Sequence, residues 1–316
     1  MLSFFPTLYP DELLYSALAR YHIRSGNRIF RQSDLELFGY TSRQVCKITL
    51  TNNLIYLVQN LPFRSQQTVD SLLQNHTLYP FYATFLMPQE AWLLKDSMRK
   101  KLSGSILEIA KVATNSSGDS KKFLKFCHVC LIEDTQKYGE PYWHRMHQIP
   151  GVLVCPTHGF VLLDSSIAVE SKGIHYHAAS PDNCLVSTDV TSFTTKALET
   201  LLTLTNDINL LINSNISFKG LAWLHGQYQR YLVKKGLMQI FPGGKFKFDE
   251  QEFFRCMLSF YGEECLEAIN PRLTQHQGKY FSHCLLACDV NPAIDRITHA
   301  LMVKFLAGSM EVFFQQ

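Results

Sequence analysis

The chain has 316 residues, 46% of them hydrophobic and 18% charged, with 30 Lys and Arg against 27 Asp and Glu for a net charge of +3. That balance excludes a charge-rich disordered chain and a protein basic enough to hold nucleic acid by bulk attraction, so any surface for a polyanion must be local. No apolar run approaches the roughly 18 residues of a membrane span, and the opening MLSFFPTLYPDELL carries acids too early for a secretory leader.

Pro10-Asp11-Glu12 has the composition of a helix start, and Leu14, Ala17, Leu18 and Tyr21 follow at i, i+3, i+4, i+7 as one apolar stripe ending at Gly26. A second short helix over 31–38 stops at Gly39. Two short helices around a glycine suit a helical hairpin or a helix-turn-helix. Helix-like patterning returns over 50–62, 66–76 and 88–101, with a proline-broken aromatic turn at His76–Tyr82 and a buried or helical stretch at 105–113. The basic end Arg99-Lys100-Lys101 suits the dipole of its own helix. Thr114–Ser120 is a polar linker, and Lys121, Lys122 and Lys125 lead out of it.

The stretch FCHVCLIEDTQKYGEPYWHRMHQIPGVLVCPTHGFVLL, residues 126–163, carries the strongest chemical signal. Cys127 and Cys130 form one C-x2-C knuckle; Cys155 and His158 form a C-x2-H knuckle after 24 intervening residues. Two such pairs can aim four soft or borderline donors at one point, which is what a structural Zn2+ needs. Four protein ligands close the coordination shell and leave no place for a reacting water. His128, His144 and His147 are rival donors in the same loop. Tyr142, Trp143, His144 and Arg145 form an aromatic and basic group that either packs this small module or faces a nucleic acid. Val152, Val154, Val161 and Leu163 pattern as a β-hairpin carrying the second knuckle.

Residues 164–192 are turn-rich, with a short strand pattern at Ile174–His177. Helices are expected over 193–213, 218–236, 276–288 and 292–314, and one begins at the capping pair Asp249 and Glu252. Pro242-Gly243-Gly244 is a turn. Cys46, Cys184, Cys256, Cys265, Cys284 and Cys288 are scattered and suit buried thiols of a reducing compartment, which makes the cytoplasm the expected setting. His283, Cys284 and Cys288 share a helix and suit a core. The fold expected is mainly α: a helical N-terminal domain over 1–113, a zinc-ribbon-like module with short β-hairpins over 121–164, and a helical C-terminal domain over 193–316. No H-E-x-x-H, H-x-E with P-C-x-x-C, Walker loop or G-x-S-x-G is present. A binder is expected rather than an enzyme.

The opening FPTLYPDELLYSALARYH, the turn HTLYPFYATFL and the Cys/His stretch resemble the TniQ/TnsD family of bacterial transposon target-selection proteins, most closely its TnsD members. The likeness runs over nearly the whole chain and is faintest around FSHCLLACDVNPAIDRITHALMVKFL. It implies a non-enzymatic protein that binds the double-stranded DNA of a fixed attachment site and recruits an AAA+ ATPase regulator of the TnsC kind. The motif carries the zinc ligands onto Cys127, Cys130, Cys155 and His158, and the ATPase contact onto roughly residues 1–30. TnsD members commonly run on past this length into a further DNA-binding region. TniQ-type members instead link an RNA-guided effector to the ATPase, with little DNA specificity of their own. For the DNA-binding case, candidate phosphate contacts are Arg99, Lys100, Lys101, Lys121, Lys122, Arg145, Lys234, Lys235, Lys245 and Lys247, and 218–268 is the expected groove-entering unit, a helix-turn-helix with a basic turn.

Overall fold

A computed structural model describes residues 1–41, 48–101, 106–110, 123–169, 176–186, 192–214, 220–243, 245–275, 281 and 296–315. The protein is mainly helical, with two small antiparallel sheets. Helix α1 (Leu14–Ser25) buries Leu14, Ala17, Leu18 and Tyr21 and ends at Gly26, whose φ of 73° is the left-handed conformation a helix stop favours. Asp11 and Glu12 do not form its first turn as expected. Asp11 sits at φ 53°, and Glu12 bridges antiparallel to His144 instead. Both acids pair with arginines, Asp11 with the distant Arg145 and Glu12 with Arg20 on α1, a demand that outweighs helix-dipole preference.

Next come α2 (Phe30–Phe38), α3 (Leu54–Asn60), α4 (Val69–His76), α5 (Tyr79–Ala83), α6 (Pro88–Arg99) and α7 (Ile106–Ile109). The expected aromatic turn is half helical: Pro80 sits in the first turn of α5, where no N–H is needed. The linker at 114–120, Lys121 and Lys122 lie outside the described residues, as do Cys46, Ile174, His175, His283, Cys284 and Cys288.

Strand β1 (Phe123–Phe126) runs into α8 (His128–Tyr138) and pairs with β2 (Leu163–Ala168), with Phe126 opposite Leu163. The sequence suggested irregular chain from 164 and a hairpin at 152–163. The hairpin is present as an isolated Val154–Val161 bridge, while Leu163 begins β2.

The C-terminal half holds α9 (Thr195–Asn213), α10 (Leu221–Lys234), strands β3 (Met238–Ile240) and β4 (Phe246–Phe248), α11 (Glu250–Tyr261) and α12 (Glu263–Ile269). The Asp249 carboxylate caps α11 by accepting from the Glu252 amide at 3.0 Å. Glu252 completes no reciprocal box, because its carboxylate takes Arg255. In place of one last helix there are two, α13 (Arg296–Ala307) and α14 (Met310–Phe314), separated at Gly308 with φ 88°. The helix expected over 276–288 lies outside the described residues except at Phe281.

Helix α9 is the spine. Leu201, Leu204, Ile208, Leu211 and Ile212 are buried on it, and it packs against α4 and α5 on one side and α12, α13 and α14 on the other. One contiguous apolar core therefore extends from Leu2 to Phe314. Among the described residues no helix is long and apolar enough to cross a membrane.

Candidate metal centre

The β1–β2 pairing explains how the two knuckles meet. Pairing of Phe126 with Leu163 sets Cys127 beside the turn that carries Cys155 and His158. Cys127 precedes α8 in an extended conformation, and Cys130 lies in its first turn. The positive end of a helix therefore faces both sulfurs, an arrangement that favours thiolates. The second knuckle is tied by Cys155 N to Phe160 O at 2.8 Å and Gly159 N to Cys155 O at 2.9 Å. Gly159 takes φ 70°, which glycine alone adopts without strain.

The result is a closed cluster. The Nδ1 of His158 is 3.6 Å from Cys127 Sγ, 3.3 Å from Cys130 Sγ and 3.6 Å from Cys155 Sγ, and Cys130 Sγ is 3.7 Å from Cys155 Sγ. A tetrahedron with metal–sulfur arms of about 2.3 Å and a metal–nitrogen arm of about 2.0 Å has edges of about 3.5–3.8 Å. The four donors fit such an ion, and all lie within the reach of one metal. The three cysteines are buried. Hydrogen bonds from Cys130 and Cys155, with backbone donors at Cys130 and Val129, push the Cys127 thiol down; hydrogen bonds with Cys127 and Cys155 push Cys130 up. Only a cation at the centre lets all three carry charge together.

His158 turns Nδ1 toward the three sulfurs, and its other nitrogen is engaged: Nε2 lies 3.1 Å from Glu133 Oε2. A carboxylate behind a metal-binding imidazole fixes the tautomer and raises ligand basicity. Glu133 was not among the residues singled out from sequence. The signal was there, an acid one helical turn beyond Cys130. The Glu133→Ala variant is expected to stay folded and lose about 10–100-fold in metal affinity, measured by competition with a chromophoric chelator.

The rival histidines have other work. His144 Nε2 is 2.8 Å from Asp134 Oδ2, and its ring stacks on Tyr142 at 4.3 Å. His128 meets Phe160 edge-on. His144 and His147 do approach Cys130, all three donors lying within 4.8 Å. His147 is wholly buried, and that burial pushes its pKa well down, so it is a neutral ring.

The aromatic and basic group is internal. Trp143 is fully buried: its Nε1 donates to His177 O at 2.7 Å, and its backbone joins Ser16 and Leu13. Tyr142 OH donates to Pro10 O at 3.0 Å. Arg145 is 2% exposed. Its Nε donates to Asp11 Oδ1 at 3.0 Å, one amino group to Gln74 O and the other to Asn213 Oδ1 at 3.0 Å. Arg145 thus ties the metal module to the residues before α1, to α4 and to α9, and has no face left for a phosphate. It was a candidate DNA contact; burial and three internal hydrogen-bonding partners in three segments account for its charge instead. A second network backs it. Arg20 lies under the Tyr9 ring at 4.1 Å and pairs with Glu12 at 2.9 Å and Glu140 at 2.7 Å.

The other basic candidates divide. Arg99 pairs with Asp70 at 3.4 Å, Lys100 with Asp96 at 2.9 Å, and Lys101 lies over the Tyr40 ring at 4.3 Å. Lys235 lies over Phe305 at 4.8 Å. Lys234, Lys245 and Lys247 are exposed and have no acidic partner among the described residues. Lys234 ends α10, Lys245 lies just before β4 and Lys247 is on it. Among the described residues the unit over 218–268 holds α10, the β3–β4 hairpin, α11 and most of α12, so a β-hairpin stands between its first two helices where a helix-turn-helix with a basic turn was expected. MQIF and KFKF on either side of the Pro-Gly turn have the β-branched and aromatic content that pairs as strands.

Two comparisons with known proteins bear on this site. The sequence model of the family described as TniQ matches residues 3–162, just over half of the chain and all four metal donors. The chain is also similar to the transposon Tn7 transposition protein TnsD of Escherichia coli, 27% identical over 164 residues. The aligned segment is 52% of this chain but 32% of that relative.

Proposed function

We propose, from the premise that this chain belongs to the TniQ family, that it is a target-selection protein of a bacterial transposon. It binds double-stranded DNA at the attachment site in a sequence-specific way and recruits an AAA+ ATPase regulator of the TnsC kind. It works in the cytoplasm as a binder and catalyses nothing. The ion in the Cys127, Cys130, Cys155 and His158 site is Zn2+, and its part is to hold the fold, since three thiolates and one imidazole are a donor set zinc favours and they close its shell.

The match of residues 3–162 to the family carries this reading. Similarity to a protein named for transposition supports it. A surface for a protein partner is available near the N-terminus: Ile23, Ile29 and Leu35, on and between α1 and α2, are 61%, 58% and 52% exposed, more than isolated surface residues need be. Lys234, Lys245 and Lys247, which have no acidic partner among the described residues, supply a local positive surface for phosphates that the small net charge alone does not.

The test is the affinity of the full chain for DNA spanning the transposon's insertion site against random duplex at one salt concentration. A ratio of about a thousandfold or more is expected of specific recognition. A ratio near one would instead support the TniQ-type adaptor, which links an RNA-guided effector to the ATPase.

A further inference from the structure

The β3–β4 hairpin is built unlike the rest of the surface. Pairing of Met238 with Phe248, Gln239 with Lys247 and Ile240 with Phe246 makes a two-stranded ribbon, closed by Phe241 N to Lys245 O at 2.7 Å. Met238 is buried and Phe248 partly so; from Gln239 to Lys247 every described residue is exposed on both faces. The ribbon therefore projects from α10 and α11 into solvent. An isolated ribbon of this length is marginal in water, and this one also exposes three large apolar side chains: Ile240 at 55%, Phe241 at 47% and Phe246 at 45%. Ile240 and Phe246 are cross-strand partners and so share one face. Single apolar residues on a surface need no explanation, but three on one projecting ribbon mark a contact surface.

Charge decides what covers it. Between Lys234 and Phe248 the sequence has Lys234, Lys235, Lys245 and Lys247 and no Asp or Glu. Lys234, Lys245 and Lys247 have no acidic partner among the described residues, whereas Arg99 and Lys100 are already paired to Asp70 and Asp96. A ribbon with unpaired lysines interleaved with apolar side chains has the chemistry of a groove contact, with ammonium groups for phosphates and apolar surface for bases and sugars.

We propose that the hairpin Gln239–Lys247 is a DNA-contacting arm, with Lys245 and Lys247 on the phosphate backbone and Ile240 and Phe246 against the groove. The inference rests on the DNA-binding function proposed above, and assigns it to a strand element where a helix was expected to do the work. A two-stranded ribbon is narrow enough to enter a groove of duplex DNA.

The experiment compares three double variants of the full chain, Lys245→Ala/Lys247→Ala, Ile240→Ser/Phe246→Ser and Arg99→Ala/Lys100→Ala, on insertion-site duplex across a salt series. Thermal midpoint and metal content are checked for each. The lysine variant is expected to bind about tenfold or more weakly, with the slope of log affinity against log salt reduced by about two. The apolar variant is expected to lose affinity at an unchanged slope. The Arg99/Lys100 variant should match the wild type in both. If the wild type binds DNA and the two hairpin variants bind with its affinity and slope, the hairpin is not the contact and the proposal is overturned. If the wild type itself binds no DNA, the functional reading fails and takes the inference with it.

Discussion

Replacing Cys130 with serine is expected to unfold the protein around residues 123–168. Cys130 is the donor nearest His158 Nδ1, at 3.3 Å, and lies 3.7 Å from Cys155 Sγ. Serine offers a poor ligand for a soft site, and the remaining donors would be left buried and unpaired. Structural zinc contributes roughly 10–16 kcal/mol of apparent binding free energy in small zinc domains at neutral pH, which is more than the roughly 5–15 kcal/mol of stability a whole domain has. The consequence should not stay local. Trp143 and Arg145 lie between the knuckles and contact α1, α4 and α9 through Ser16, Gln74 and Asn213, and Tyr142 reaches Pro10 O before α1. Metal analysis should find one equivalent of zinc per wild-type chain and none in Cys130→Ser, and circular dichroism should show lost helix. Chelation of the wild type should reproduce the same loss. A Cys130→Ser variant that kept both zinc and fold would contradict a structural site of these four ligands.

Replacing Arg145 with methionine should cost about 3–5 kcal/mol of stability, the usual result of breaking a buried ion pair from one side. Asp11 would keep its charge with its Arg145 partner gone, though the Met146 amide at 3.0 Å still reaches it. Gln74 O and Asn213 Oδ1 would also lose a donor. Denaturant unfolding measures the cost. The second half of the prediction is what separates this account from a nucleic-acid role. Per folded molecule, DNA affinity and its salt slope should not change in Arg145→Met. A slope reduced by about one with stability intact would place the guanidinium on a phosphate.

The clustering of Cys127, Cys130, Cys155 and His158 was legible in the sequence because its pattern is local: two knuckles, each with its pair of residues three apart, and turn residues around the second. Helices α1, α4, α6 and α9 were legible for the same reason, since each carries its stripe within its own span. What the sequence hid depends on long separations. Asp11 and Glu12 have the composition of a helix start, yet Asp11 serves Arg145, 134 positions away, and the Glu12 backbone bridges to His144. No local pattern encodes that exchange. Tyr142, Trp143 and Arg145 have the same composition whether they bind a base or fill a core, and only burial separates the two. Strands β1, β3 and β4 are three or four residues long, too short for alternation to stand out. The turn Pro242-Gly243 was visible, but the paired strands on either side of it were not weighed together.

The arrangement gives the chain a division of labour. The family segment, 3–162, ends inside the metal module, and α9 carries the same core on into the C-terminal helices. The exposed apolar residues of α1 and α2 and the basic ribbon after α10 thus belong to one packed body that also contains the Cys/His cluster.

The central claim, that this chain selects a DNA target and brings the transposition machinery to it, is tested most directly by assembly of the AAA+ regulator on DNA. Immobilised duplexes carrying the insertion site or a scrambled sequence would be incubated with the ATPase and ATP, with and without the full chain. Retention of the ATPase on insertion-site DNA only when the chain is present is the predicted result. Equal retention with and without it, or none while the chain itself stays bound, would contradict the account.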